Sequence, residues 1–181
     1  MDKDILSTSR LILRTVAPGD AEALAALADN YKIAVMLARL PYPYRLDHAR
    51  DFIARVGEKR PDEEIFGLYL KPRETFIGVC SYEMRGGDAP EIGYWLGEPY
   101  WGKGHMSEAV KAIIAHAFTA KRHARLLSGC RLQNAGSRRV LEKAGFEHVG
   151  RYEIQSLVLG ATLPGHRFCL TRERWEGLAA R

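Results

Sequence analysis

The chain of 181 residues has no long uncharged segment. Its longest stretch without Asp, Glu, Lys or Arg covers residues 154–166 and includes Gln155, Pro164 and Gly165. A membrane-spanning helix needs about 20 mostly apolar residues. Residues 1–4 contain Asp2, Lys3 and Asp4 and begin no apolar run, which argues against a secretory signal. We therefore expect a cytoplasmic protein without a membrane partner.

Cysteine and clustered metal ligands are also scarce. The chain has three cysteines, Cys80, Cys130 and Cys169. Their odd number and wide spacing favour reduced core thiols over a disulfide framework. The six histidines form no His-Glu-x-x-His pattern, and His116 and His123 have no third ligand nearby. A chain of this length buries roughly 70% of its unfolded surface, so its core needs no such support. We expect no metal.

Charge is distributed unevenly along the chain. The net charge is +5, from 27 basic and 22 acidic side chains. Residues 121–151 contain eight basic and two acidic side chains, so this segment alone carries +6. The sequence thus predicts one electropositive region, which is either a solvated basic face or a site for a phosphorylated ligand or nucleic acid.

Apolar spacing predicts a single domain over residues 1–181, because no repeat or linker divides the chain. Alternating patterns indicate strands at 10–16, 65–70, 75–82, 91–96, 125–131, 146–154 and 166–171, and helical spacing indicates helices at 20–28, 46–58, 105–120 and 135–144. Turn residues at 71–74 and 85–88 favour hairpins. We predict an α+β (mixed α/β) fold with a central, mostly antiparallel sheet of six to seven strands and about four helices. The aromatic segment 30–44 is predicted to be irregular and to line a substrate cleft.

The most informative segment, 94–109, joins a strand to a helix through a loop with closely spaced glycines. Glycine lets backbone N–H groups approach an anion, and a helix N-terminus adds unpaired donors and partial positive charge. A phosphate or pyrophosphate is the expected ligand of such a loop.

Other interpretations of the loop are weaker. Gly97, Gly102 and Lys103 match the spacing of a nucleotide-triphosphate loop, but Gly104 stands where Ser or Thr must hold magnesium. A dinucleotide fingerprint would need a glycine at Ser107. A plain strand-to-helix turn is the remaining alternative.

Two motifs in register resemble those of the Gcn5-related N-acetyltransferase (GNAT) superfamily, in its RimJ/RimL-like branch. Residues 101–106 lie over the Gln/Arg-x-x-Gly-x-Gly/Ala loop, with departures at Trp101 and Met106. Residues 134–146 resemble the Asn-x-x-Ser...Glu-Lys-x-Gly-Phe segment of that branch, and segments 8–14 and 170–175 also look family-like. The resemblance spans nearly the whole chain. It implies a GNAT-type domain whose fourth strand bulges and splays away from the fifth.

This resemblance implies an N-acetyltransferase that uses acetyl-coenzyme A as cosubstrate. The pyrophosphate is expected on the loop, pantetheine on the backbone of the splayed strand and on Asn134, and the 3′-phosphate on Arg138 or Arg139. The resemblance therefore implies the following cofactor-binding residues: Trp95, Leu96, Trp101, Gly102, Lys103, Gly104, His105, Met106, Asn134, Ser137 and Arg139. A backbone N–H at Trp95 or Leu96 is also expected to stabilise the oxyanion.

Two catalytic residues are predicted. By resemblance, Ser137 hydrogen-bonds the coenzyme A sulfur and protonates the departing thiolate. A general base must collect the proton of the attacking amine, and we predict Glu91, with Glu83 and Glu153 as alternatives. Each of these carboxylates is otherwise an ordinary strand residue, and Asn134 also suits a helix N-cap.

The predicted reaction is direct attack of a primary amine on the thioester in a ternary complex. Protein N-termini, polyamines, amino acids and aminoglycosides all stay open as acceptors, and the chain is either a monomer or a homodimer. The alternatives are a catalytically degenerate acyl-coenzyme A-binding protein and a basic nucleic-acid-associated domain. Only the basic segment 121–151 and the pI of about 9.2 favour the latter, so we do not expect nucleic acid as a partner.

Overall fold

The computed structural model describes residues 5–58, 60–61, 63–84 and 87–180. In this part of the chain the strands are β1 (Leu6–Ser7), β2 (Leu11–Arg14), β3 (Glu63–Leu70), β4 (Thr75–Glu83), β5 (Glu91–Leu96), β6 (Arg125–Arg131), β7 (Glu147–Ser156) and β8 (Ala161–Thr171). The α-helices are α1 (Ala21–Ala28), α2 (Tyr31–Ala34), α3 (Leu46–Gly57), α4 (His105–Thr119), α5 (Ala135–Lys143) and α6 (Arg172–Ala179). Residues 1–4 and the first half of the predicted turn 85–88 lie outside the described residues.

All of these strands belong to one sheet in the order β1-β2-β3-β4-β5-β6-β8-β7. Every neighbouring pair is antiparallel except β5 and β6, which are parallel. The predicted fold class, a mixed and mostly antiparallel sheet with helices, is confirmed. The counts were low, because the described chain has eight strands and six α-helices. The additions are the two-residue β1, the four-residue α2 inside the segment read as irregular, and α6.

The sheet buries both of its faces against helices. Val110, Ile113 and Ile114 of α4 pack with Ile77 and Ile92 of the sheet, in a core that also contains residues of α5. On the opposite face, residues of α1 and α3 pack with another set of strand side chains. The two sides are called the α4–α5 face and the α1–α3 face below. Because side chains alternate along a strand, β2, β3, β4 and β5 contribute to both cores.

A gap between β5 and β6 interrupts the middle of the sheet. These strands pair only at Glu91 with Leu127 and at Ile92 with Ser128. Beyond this point β5 continues beside β4 through Leu96. The predicted splaying is therefore confirmed. The splayed strand is β5, which is the fourth of the predicted strands because the two-residue β1 was not predicted. The expected bulge is not seen in the β4–β5 pairing, whose register is continuous.

The described helices include none that is long and apolar enough to cross a membrane.

The β3–β4 hairpin closes at 71–74 as predicted.

Candidate active site

The gap exposes one edge of β5. The Gly97 N–H donates to the Ile77 carbonyl across the β4–β5 pair at 2.9 Å. Because hydrogen-bonded pairs alternate along an antiparallel ladder, the backbone of Trp95 also faces β4, and the backbones of Tyr94 and Leu96 face the gap. In agreement, a Cβ added at Gly78 would collide with the Trp95 carbonyl oxygen. Of the two predicted positions, Leu96 directs its N–H into the gap and Trp95 does not.

Tryptophan side chains hold the end of β5 in place. The Trp101 indole N–H donates to the Leu96 carbonyl at 2.6 Å. The Trp95 ring lies on the α1–α3 face, with its centroid 6.2 Å from that of Phe76. Trp101, which departs from the family motif, thus ties the glycine loop to the splayed strand.

The glycine loop has an open backbone. Gly102 and Gly104 have φ angles of +74° and +79°, a left-handed conformation that favours glycine. A Cβ at Gly102 would meet nothing within 4 Å, and one at Gly104 would meet only Arg10 Nη2, at 3.5 Å. Gly104 is the N-cap of α4 and has no side chain to cap it, so the N–H groups of the first helical turn are left for an anion.

His105 adds a buried polar group at this helix start. The residue is 7% exposed, and its Nδ1 has no partner among the residues that the structure describes. Burial, with the nearby Arg10 charge, lowers the pKa of His105, which favours the neutral ring. An orphaned ring nitrogen, free helix N–H groups and open glycines fit the pyrophosphate of coenzyme A.

The other loop residues have distinct surroundings. Lys103 is exposed and folds back, with Nζ donating to the Pro99 carbonyl at 2.8 Å. The Met106 side chain is buried in the core of the α4–α5 face, so only its backbone serves the loop. Lys103 thus provides a positive charge beside the loop.

A cluster that sequence reasoning missed fixes the start of α4. We call the contacts of Thr8, Ser9 and Arg10 with Glu108 the Glu108 latch. Glu108 accepts hydrogen bonds from the Thr8 hydroxyl at 2.6 Å, the Ser9 hydroxyl at 3.0 Å, and the Arg10 backbone and side chain at 2.9 and 2.7 Å. Burial alone would raise the pKa of Glu108, but these donors lower it to about 2. Arg10 also donates to the Lys103 carbonyl at 3.0 Å, so the latch braces the glycine loop.

The second motif lies across the gap on α5. Asn134 caps this helix, with Oδ1 accepting from the Ser137 N–H at 3.0 Å. The Ser137 hydroxyl lies 2.9 Å from the Tyr94 hydroxyl. Burial raises the pKa of Tyr94, so the phenol is neutral at physiological pH. Tyr94, which sequence reasoning missed, reaches from β5 to α5; its signal was the alternation of Ile92, Tyr94 and Leu96 on one face.

Carboxylates pair with several basic side chains of the segment 121–151. Lys121 contacts Glu64, Arg125 contacts Asp88, and Arg138 Nε lies 2.7 Å from Glu142 Oε1. Arg139 is exposed, and no partner for it is seen in the described part of the chain. Of the two predicted arginines on α5, Arg139 is therefore the one available to a 3′-phosphate.

Two of the three predicted carboxylates lie together, and the third is apart from them. Glu83 and Glu91 are direct cross-strand partners on the α1–α3 face, whereas Glu153 is exposed and lies on the opposite face from Tyr152 by strand alternation. Glu91 Oε2 accepts from Arg167 at 2.9 Å. Glu83 accepts from Arg39 at 2.8 Å and from the Ser81 hydroxyl at 3.1 Å. Within the described ranges, no group of three or more His, Cys, Asp or Glu side chains could hold a metal ion.

The β7–β8 connection contacts segment 30–44 on the α1–α3 face beside the gap. The Leu157 N–H, after β7, donates to the Ala38 carbonyl at 2.9 Å, so the β7–β8 connection contacts the segment 30–44. Tyr31 and Tyr42 are about half exposed and pack edge to face, with centroids 5.4 Å apart. Tyr44 is buried and belongs to the core.

Comparisons with known proteins agree with this geometry. The model of the acetyltransferase (GNAT) domain family matches residues 10–147. The chain is 26% identical over 178 residues to the uncharacterized N-acetyltransferase p20 of Bacillus licheniformis, and the matched region covers 96% of this chain and 99% of that protein. It is 28% identical over 181 residues to the ribosomal protein uS5-alanine N-acetyltransferase of Escherichia coli K12, covering 94% and 92%. RimL, a ribosomal L7/L12 α-N-protein acetyltransferase solved with coenzyme A, has the same fold, with a TM-score of 0.81 and 20% identity over 93% of this chain and 98% of that one.

Proposed function

This chain belongs to the acetyltransferase (GNAT) family of N-acetyltransferases, and we propose that it transfers the acetyl group of acetyl-coenzyme A directly to a primary amine in a ternary complex. The observation that carries the proposal is the gap between β5 and β6. The open glycine loop lies at the end of β5, and the Tyr94–Ser137 pair crosses the gap on the α4–α5 face. Coenzyme A is the ligand whose pyrophosphate, pantetheine and thioester match these three features.

Binding is divided among the loop, β5 and α5. The first-turn N–H groups of α4 receive the pyrophosphate, and the Leu96 N–H is directed at pantetheine or at the oxyanion. Asn134 Oδ1 is occupied by its own helix, so its amide NH₂ is the group left to bond the pantetheine arm. Arg139 receives the 3′-phosphate.

The chemistry needs two proton transfers. The neutral amine attacks the thioester carbonyl, a C–N bond forms, and the C–S bond breaks as the tetrahedral intermediate collapses. Ser137 gives its proton to the departing sulfur, and solvent or the neutral Tyr94 phenol restores it. A preorganised donor such as the Leu96 N–H stabilises the oxyanion by roughly 2.7 to 4 kcal/mol.

The amine proton leaves on the α1–α3 face. Glu91 and Glu83 are the predicted carboxylates on that face, and both are held in ion pairs. We propose that Glu91 takes the proton through a water molecule, and Glu83 is the alternative. Peptide N-termini are the proposed acceptors, and they would lie beside segment 30–44, which the β7–β8 connection contacts through the Leu157–Ala38 hydrogen bond. The names of the ribosomal-protein relatives support the same class.

The test is release of free thiol from acetyl-coenzyme A in the presence of an amine panel. We expect amine-dependent release that Ser137→Ala reduces and that Arg50→Gln, a substitution at an exposed site on α3, leaves unchanged. Binding of acetyl-coenzyme A without release for any amine would instead identify a degenerate acyl-coenzyme A-binding protein.

A further inference from the structure

Arg131 is a buried guanidinium that pairs with no carboxylate among the described residues. It lies at the end of β6 and is 8% exposed. Its Nη1 contacts the Val35 carbonyl, and its Nε has no hydrogen-bond partner among the described residues. An unpaired buried donor on a charged group is costly, so this geometry points to a missing anionic partner.

The side chain lies on the acceptor side of the sheet. Leu127 pairs with Glu91 on the α1–α3 face, and alternation along β6 places Gly129 and Arg131 on that face as well. Three residues beyond the paired Ile92 and Ser128, Arg131 on β6 lies at the same level as Trp95 on β5, across the gap. The contact with Val35 brings it beside the segment 30–44, which is predicted to line the substrate cleft. Coenzyme A enters from the opposite, α4–α5 face in the proposed function.

The neighbouring charges on this face are already matched. Glu83 pairs with Arg39, and Glu91 pairs with Arg167. Arg167 in turn stacks over the Tyr152 ring, 4.9 Å from its centroid. Of these three arginines, Arg131 is the one for which the described residues supply no carboxylate. The acceptor side of the gap is therefore positive by one charge in this cluster.

We propose that Arg131 recognises a carboxylate on the acceptor, close to the amine that is acetylated. A carboxylate accepts two parallel hydrogen bonds from a guanidinium and would satisfy the orphaned Nε. The same charge repels a polycation, so polyamines and aminoglycosides are poor acceptors. This inference rests on the proposed function and narrows it to acidic amines: a free amino acid, or a peptide whose residue after the N-terminus is acidic.

Matched acceptors test the inference on the unmodified protein. The probes are Ala-Glu-Ala-Ala and Ala-Gln-Ala-Ala with amidated C-termini, free alanine, alaninamide and spermidine. We expect the acidic member of a pair to have kcat/KM about 10- to 100-fold higher than its amide, in line with the strength of charge-assisted hydrogen bonds. The peptide pair and the alanine pair report separately on a side-chain and an α-carboxylate source. Equal values within both pairs, or a preference for spermidine, would overturn the inference.

Variants assign the preference to Arg131. Arg131→Gln should raise KM for the acidic acceptor about 10-fold or more while leaving kcat and the amide acceptor nearly unchanged, and Arg131→Lys should recover part of it. Arg50→Gln is the charge-matched control. A structural role alone would lower the melting temperature and affect acid and amide acceptors equally, which would contradict the inference.

A binding measurement separates this inference from the proposed function. Calorimetric titration of the protein saturated with coenzyme A, using the Glu and Gln peptides, needs no turnover. Preferential binding of the Glu peptide that Arg131→Gln abolishes supports the inference even if no acetylation occurs, in which case the proposed function alone fails. Equal binding of both peptides overturns the inference.

Discussion

The Glu108 latch provides a strong stability prediction away from the core. Glu108→Gln keeps the size of the side chain and one acceptor oxygen but removes the negative charge that Thr8, Ser9 and Arg10 hold. The Glu108 side chain is 16% exposed, so solvent screens the interaction only partly. Its pKa falls from 4.5 to about 2, which corresponds to at most about 3 kcal/mol of folding free energy at neutral pH, because solvent screens the half-exposed Arg10.

The assay is thermal unfolding at pH 7 of the wild type, Glu108→Gln and the control Glu142→Gln. For a chain of this size, about 3 kcal/mol lowers the melting temperature by about 6 to 12 °C. Glu142 forms an i,i+4 pair with Arg138 in which both side chains are about half exposed, so its loss should cost at most about 0.5 kcal/mol.

The pH dependence follows from the same shift. Because the folded-state pKa of Glu108 is depressed, its stabilisation is fully present above about pH 4.5 and is lost as the pH falls through about 2. The difference in unfolding free energy between wild type and Glu108→Gln should therefore shrink between pH 5 and pH 3. A difference that does not change over this range, or a loss at pH 7 no larger than that of Glu142→Gln, would refute the reasoning.

Three further predictions concern the cosubstrate. Gly104→Val should abolish the rise in melting temperature caused by acetyl-coenzyme A, because a side chain at φ +79° is strained and blocks the loop; a normal rise would show that the loop binds no pyrophosphate. Ser137→Ala should lower turnover about 10²-fold with little change in coenzyme A affinity, and Tyr94→Phe should lower it less, whereas unchanged steady-state rates would assign proton donation to solvent. Arg139→Gln should remove the preference for coenzyme A over 3′-dephospho-coenzyme A in melting shifts, and Arg138→Gln should keep it; the reverse result would exchange their roles.

Local patterns were sufficient to predict most of the fold. β5 and β6 lie at the predicted residues 91–96 and 125–131. In β5, the apolar Ile92, Tyr94 and Leu96 share one face, and Pro90 and Gly97 bound the strand. The predictions were incomplete where elements are too short to show a period. β1 has two residues and α2 has four, and both depend on tertiary packing instead of a repeating pattern.

In the site, too, residues that lie in local motifs were predicted, whereas residues joined by long-range contacts were not. Asn134, Ser137 and the glycine loop lie within short motifs, so their placement followed from the sequence. The Glu108 latch joins residues 100 positions apart, and no local pattern predicts which distant hydroxyl a helix glutamate contacts. The +6 segment also looked more uniform in the sequence than in the fold, where Glu64 and Asp88 from other elements neutralise part of it.

The most direct test of the account is coupled measurement of thiol release and amide formation from acetyl-coenzyme A, with an N-terminal peptide amine and no added metal. We predict stoichiometric thiol and acetylated amine, with turnover reduced about 10²-fold by Ser137→Ala at unchanged coenzyme A binding. Full turnover by Ser137→Ala, or thiol release without an acetylated amine, would contradict direct transfer across the gap between β5 and β6.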